Sequence, residues 1–420
     1  MMDTRLIAVA LSVLIISAAA VAGVLVLLPY NPEQPPLADE NGSTAAGIRT
    51  VVDANNRFAF DILSELDRDD SSNAFFSPYS IFSAMAMVFE GARGQTSDEM
   101  AAVFHYPVSE VLGPNFAAVY NSVNRGDGSS ILKTGNALWA QQDYPFLEDY
   151  LSLVESRYGG KAANLYFVRE TEESRKTING FIEQQTDGRI RDLIPAGILD
   201  PLTRLVLTNA IYFRGTWTWQ FDKAATRNED FFITRERTVS VPMMFMDNDK
   251  AKFSYADLGD LQILELPYKG DRMSMLIILP NGSIESIRPS LTADKLKEWK
   301  ATMRASSLDA IYLPRFGFDT KYFLKDALVA MGMPTAFSDD ADFSGMDGTR
   351  NLSIGSVIHQ AFVKVDEEGT EAAAATAVIM QLSSALPRKV FRADRPFIFI
   401  IQEKATGAIL FMGKVIDPSA

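Results

Sequence analysis

The chain contains no cysteine, which excludes disulfides, a thiol nucleophile and cysteine-ligated metals and leaves the redox compartment open. Histidine is scarce as well, with only His105 and His359 in 420 residues. The motifs that announce many active sites are missing: there is no HExxH helix, no Gly-x-Ser-x-Gly elbow, no phosphate-binding loop and no GxGxxG. No cofactor or metal is therefore expected. A Ser–His–Asp constellation on either histidine stays open, because its members need not be neighbours in sequence. The ordinary role of each histidine is a structural hydrogen bond. Positive charge is also in short supply. The formal net charge is −13, which argues against nucleic acid as a general partner. Residues 96–124 contain no Lys or Arg at all.

What is present begins with a long apolar run. Residues 6–28, "LIAVALSVLIISAAAVAGVLVLL", hold 23 residues without a charge, enough to cross a hydrocarbon core of about 30 Å as a helix. Secretory signals carry shorter apolar cores of about 7–15 residues. The length favours an uncleaved membrane anchor, with residues 1–5 as a short cytoplasmic tail and the bulk of the chain outside the cytoplasm. The alternative is secretion after cleavage near Ala20-Val21-Ala22. Residues 29–47, rich in Pro, Gly and acids, read as a flexible linker, and residues 48–420 as one globular domain. Asn41, Asn281 and Asn351 have the form of glycosylation acceptors, although Asn281-Gly282 reads first as a turn.

Within that domain helical patterns come first and strand patterns later, which points to α+β with large, mostly antiparallel sheets. Phe58, Ile62 and Leu66 share one helical face. In "FFSPYSIFSAMAMVFEGARG", Ser77 can cap a helix, Pro78 suits its first turn and Gly91 can end it. Helical patterns run to about residue 188, interrupted by one strand at "SILKTGNALWA". Strand patterns follow at "TRLVLTNAIYF", "RTVSVPMMFM", "LQILELPY", "RMSMLIILP" and "DAIYLPRFGF". Residues 319–332 read as a late helix closed by Gly332, and "FIFIIQ" and "AILFMGKV" as final strands.

One stretch resists this simple reading. "VDEEGTEAAAATAVIM" places four alanines between two strand-like segments, where propensity alone would put a helix. Five segments in order resolve the puzzle, because together they resemble the serpin family over roughly residues 48–420: "FFSPYSIFSAMAMVFEGARGQT", "LTNAIYFRGTWTWQFD", "LPRFGFDTKYFLKDALVAMGMPTAFSDDADFSGM", "HQAFVKVDEEGTEAAAATA" and "RPFIFIIQEKATGAILFMGKVIDP". The chain looks like a prokaryotic member.

The resemblance implies a serpin fold, α+β with helices packed on three β-sheets, and an exposed reactive-centre loop at about 367–392. It implies a metastable inhibitor of serine proteases that is not itself an enzyme. The loop is offered as substrate, the protease serine forms an acyl-enzyme, and the freed loop inserts as a new strand of the main sheet before water can release it. The implied hinge is Glu367, Gly369, Thr370, Glu371, Ala372, Ala373, Ala374, Ala375 and Thr376. Counting from Thr370, the inward residues of the new strand are Thr370, Ala372, Ala374, Thr376, Val378 and Met380, and the early ones are small and uncharged. Ser77, Ser80, Asn209 and His359 match a polar cluster under the sheet's centre. Trp217 matches the aromatic residue where insertion begins, and Arg315 with Glu367 a charge pair near the hinge.

Family spacing puts the scissile bond at Ser383–Ser384, with Leu382–Ser383 as runner-up. Ser383 suits an elastase- or subtilisin-like pocket and Leu382 a chymotrypsin-like one. Trypsin-like targets are disfavoured, although Arg388–Lys389 could be nicked without inhibition. The implied partner is a target serine protease in a covalent complex, the implied state is a monomer, and no heparin-type activator is expected because residues 96–124 lack basic side chains. The competing readings are a non-inhibitory serpin acting as a binding or chaperone-like module, and a hydrolase using His105 or His359.

Overall fold

The structure, a computed structural model, describes residues 37–67, 72–125, 130–134, 137–159, 161–247, 251–370 and 389–420. Among them are nine α-helices and eighteen strands in three sheets. The helices are α1 (Ala45–Leu66), α2 (Pro78–Gly91), α3 (Gly94–Phe104), α4 (Ser109–Asn124), α5 (Glu148–Tyr158), α6 (Thr171–Gln185), α7 (Ala293–Thr302), α8 (Lys325–Met331) and α9 (Ser344–Asp347). The chain is thus α+β, and its order follows the composition: most helices precede most strands.

The first sheet has seven strands in the order β1 (Ala74–Phe76), β18 (Ile409–Val415), β17 (Phe397–Glu403), β10 (Met273–Pro280), β9 (Leu261–Pro267), β8 (Phe253–Asp257) and β11 (Arg304–Ser306). Every residue of β10, β17 and β18 is buried, as their unbroken apolar runs require. A four-stranded sheet follows the order β16 (Val390–Arg392), β12 (Ala310–Pro314), β7 (Thr238–Met246) and β6 (Arg227–Phe232). The third sheet again has seven strands. Its order is β13 (Phe316–Phe323), β14 (Ile358–Val365), β15 (Gly369–Thr370), β5 (Leu205–Thr216), β3 (Ala137–Gln141) and β4 (Lys161–Leu165), with β2 (Ser130–Thr134) also paired to β5.

Helix α2 is buried along its whole length and packs against both β5 and β18. The Ser77 hydroxyl caps it by accepting from the Ser80 N–H. Gly91 is its last helical residue and is needed for space: a Cβ there would overlap the Met346 side chain. A second apolar cluster, including Trp139, Ile178, Ile182 and Ile358, lies between α6 and the central sheet.

Four readings of the sequence are corrected by the structure. Helix α1 starts at Ala45, inside the stretch read as linker, and Ala38 is buried with its N–H donated to Asn121 Oδ1 at 2.8 Å. The expected single strand at residues 309–318 is two strands in different sheets, parting at Pro314 and Arg315. The expected helix at 319–332 begins only at Lys325, because β13 continues to Phe323 in full register with β14; Gly332 does close it, at φ 119°. Strand β4 lies within the region read as helical, where pairing with β3 outweighs local preference.

Candidate strand-acceptor site

The central sheet is closed at one end and split at the other. Strands β14 and β5 pair directly and in parallel at His359–Asn209, Gln360–Ala210 and Ala361–Ile211. Further along they separate, and β15 lies between them, antiparallel to both. Thr370 stands opposite Val365 on one side and Gly215 on the other, and Gly369 opposite Thr216.

A tight reversal joins β14 to β15. The Asp366 N–H donates to the Gly369 carbonyl at 2.9 Å, and the Gly369 N–H returns to the Asp366 carbonyl at 3.3 Å. A Cβ on Gly369 would overlap the Gly215 carbonyl oxygen, so glycine is required by the close approach of β5. Thr370 is buried, and its hydroxyl lies 2.7 Å from the Tyr268 hydroxyl. Tyr268 stacks on Trp217 at 4.5 Å between ring centres, and burial pushes its phenol pKa upward. Trp217 ties the turn on two sides: its backbone N–H donates to the Glu368 carbonyl at 2.8 Å and its indole N–H to the Asp366 carbonyl at 3.0 Å.

Arg315 and Glu367 meet as a bidentate pair. The Arg315 Nε lies 2.8 Å from both carboxylate oxygens, and the Thr226 hydroxyl also donates to Glu367. Burial raises the Glu367 pKa, but the Arg315 guanidinium and Thr226 hydroxyl outweigh it and hold the group below the ordinary glutamate range. Glu368 pairs with Lys223.

At the closed end Ser77, Ser80 and His359 are fully buried. The Ser77 N–H donates to His359 Nε2 at 3.0 Å, and the Ser77 hydroxyl donates to the Leu410 carbonyl at 2.6 Å. Nε2 is therefore an acceptor, and burial pulls the imidazole pKa down to about 3. Such a ring is a fixed, neutral fastening rather than a proton-transfer group. Asn209 enters by its strand position alone. Beyond this seam a cavity of about 380 Å³ lies among Ile198, Leu202, Leu205, Leu207, Leu352 and Ile358.

His105 sits elsewhere, in left-handed conformation after α3, with Nε2 at 2.7 Å from Asp61 Oδ2. Among the described residues no group of three or more His, Asp or Glu could hold a metal. The structure thus brings Trp217, Arg315, Glu367, Gly369 and Thr370 together at the open end and Ser77, Ser80 and His359 at the closed end. Residues 367–370 and 390–392, read as the ends of the loop, are held by the body of the protein. Glu371, Ala372, Ala373, Ala374, Ala375, Thr376, Leu382, Ser383 and Ser384 lie outside the described residues, as does the apolar segment 6–28. No helix among the described residues is long and apolar enough to cross a membrane. Sequence reasoning missed Lys223, Thr226 and Tyr268; only the aromatic ending of "LELPY" hinted at the last.

The central sheet thus holds two residues of an adjoining segment between β14 and β5, which pair directly with each other beyond them. The family model described as Serpin (serine protease inhibitor) matches residues 53–418. An uncharacterized serpin-like protein of Methanosarcina mazei is 41% identical over 390 residues, covering 90% of each chain. The human leukocyte elastase inhibitor is 39% identical over 376 residues, covering 87% of this chain and 98% of its own. The loop-inserted structure of a cleaved ovalbumin mutant superposes with a TM-score of 0.79 at 30% identity, covering 88% of this chain and 100% of its own. The chain belongs to the serpin family.

Proposed function

We propose that the protein inhibits serine proteases as a suicide substrate, in a reaction completed by insertion of its own loop. The observation that carries this reading is β15, two residues lodged between β14 and β5 and aimed at the seam. Gly369 faces Thr216 and Thr370 faces Gly215, so each further loop residue would fall opposite the β5 residue one earlier. Ala372 and Ala374 would then meet Phe213 and Ile211, both buried, where larger side chains would have no room. Thr376 would fall between His359 and Asn209, replacing their direct pair. Met380 would reach Leu205, the first residue of β5 and a wall of the cavity.

The chemistry belongs to the protease. Its serine attacks the carbonyl of Ser383, the Ser383–Ser384 bond breaks, and the Ser384 amine leaves with a proton while Ser383 stays esterified. Insertion then carries the esterified end from the open pole of the sheet to the closed one before water arrives. Residues 6–28 would anchor the inhibitor outside the cytoplasm as a monomer that needs no heparin-type activator; release by detergent but not by alkaline carbonate tests the anchor.

Incubation with elastase-, subtilisin- and chymotrypsin-like proteases, followed by denaturing electrophoresis, tests the inhibition. The expected product is a covalent band at the summed mass less that of a released fragment, which begins at Ser384, or at Ser383 if Leu382 is the specificity residue. Cleavage by every protease with no covalent band would leave the non-inhibitory binding reading in its place.

A further inference from the structure

We propose that Lys223 is a positioning residue for loop insertion, because its pairing with Glu368 holds the turn from which the new strand grows. This inference rests on the insertion mechanism proposed above. The turn carries three consecutive acids, Asp366, Glu367 and Glu368. Glu367 and Glu368 are only 1% and 3% exposed. Adjacent carboxylates that have lost their water persist only when each finds its own cation or donors. Glu367 has Arg315 and Thr226. Glu368 has Lys223, from the segment between β5 and β6, which also lies within the field of Asp366 and Glu367.

The same residue is gripped through its backbone. The Glu368 carbonyl accepts from the Trp217 N–H at 2.8 Å and from the Gln220 amide at 3.4 Å. Without Lys223, the Glu368 side chain loses its tie to the segment between β5 and β6, and that loosening extends to its carbonyl on Trp217. Gly369 and Thr370 follow directly, so the first two rungs of the new strand would lose their fixed start. Insertion should then slow against a deacylation rate that is unchanged, and more inhibitor should be cleaved for each protease trapped.

The absence of native cysteine makes the test direct. A fluorophore on Ala375→Cys in the full chain reports insertion after the loop is nicked by a trace of trypsin, with no need for inhibition. Lys223→Gln and Lys223→Glu should slow insertion about two- to fivefold, the span supported by a half-exposed ion pair. The deficit should shrink in high salt, the nicking rate should stay unchanged, and adding Glu368→Lys to Lys223→Glu should restore most of the rate. Titration with pancreatic elastase should show a parallel rise in inhibitor consumed per protease. If the parent inserts but both variants insert equally fast, or the swapped pair stays slow, the role of Lys223 is refuted and the mechanism stands. If the nicked parent does not insert at all, both readings fall. Should Lys223→Glu not fold, the insertion rate of Lys223→Gln decides the question alone.

Discussion

A single cut in the reactive loop should make this protein more stable. Strand β5 offers twelve residues, of which Thr216 and Gly215 are already paired with Gly369 and Thr370. Ten positions therefore wait for residues 371–380. On the other side β14 offers seven more, Val365 being already taken. Against these stand the three parallel pairs of the seam, which must break. At about one hydrogen bond per antiparallel pair, the net gain is about a dozen bonds. Each is worth about 0.5–1.5 kcal/mol, so the release is on the order of 10 kcal/mol before any apolar burial. A domain of roughly 370 residues unfolds with an entropy near 0.8 kcal/mol/K, so the melting temperature should rise by roughly 10–15 °C. Calorimetry of intact and nicked protein measures this directly. The variant Thr376→Arg, which would force a guanidinium between His359 and Asn209, should show no rise. A nicked parent that melts at or below the intact temperature would refute the reasoning.

Three further outcomes follow from the described contacts. His359 is held neutral in the folded state, with a pKa of about 3, against about 6.5 when unfolded. Its depressed value means that the unfolded chain takes up the proton first, so stability falls as pH drops below 6.5. Between pH 6.5 and 5 the parent should lose about 2 kcal/mol in urea titrations, and His359→Asn should lose far less. Arg315→Ala strips the main cation from the nearly buried Glu367 and should cost about 2 kcal/mol at pH 7, discounted for the partial exposure of the arginine. Because the folded Glu367 pKa is lowered, that contribution exists above about pH 4.3 and is lost as pH falls through the folded value, so parent and variant should converge in acid urea melts. Gly369→Ala would press a methyl group on the Gly215 carbonyl. It should expel β15 and raise the inhibitor consumed per protease severalfold, measured by titration at fixed protease.

Much of the fold was legible because burial and periodicity agree. The apolar runs of β10, β17 and β18 could only be core strands, and the Ser77-Pro78 start of α2 carried its own cap. The failures share a cause. Residues 319–323 and 161–165 adopt strand where local preference is weak and a neighbouring strand supplies hydrogen bonds from far away in sequence (Thr320 opposite Ala361, Lys161 opposite Ala137). At the hinge, Arg315, Glu367 and Trp217 were legible only through family resemblance. Their convergence joins three segments far apart in sequence, which no local pattern encodes. Lys223 and Tyr268 escaped notice because a lysine in a connecting segment and a tyrosine at a strand end are ordinary until the fold sets them beside Glu368 and Thr370.

The three-residue parallel seam between β14 and β5 also bears on reversibility. Under the proposed mechanism Thr376 displaces that seam and leaves two longer antiparallel ladders where one short parallel contact stood. Parallel pairing is the weaker per residue, so a molecule that has passed this point would have to dismantle the longer contacts to remake the shorter. The sheet would then act as a ratchet with a single tooth. Under that mechanism each molecule would work once and be spent, so protection would scale with the number of molecules present rather than with the speed of any one of them.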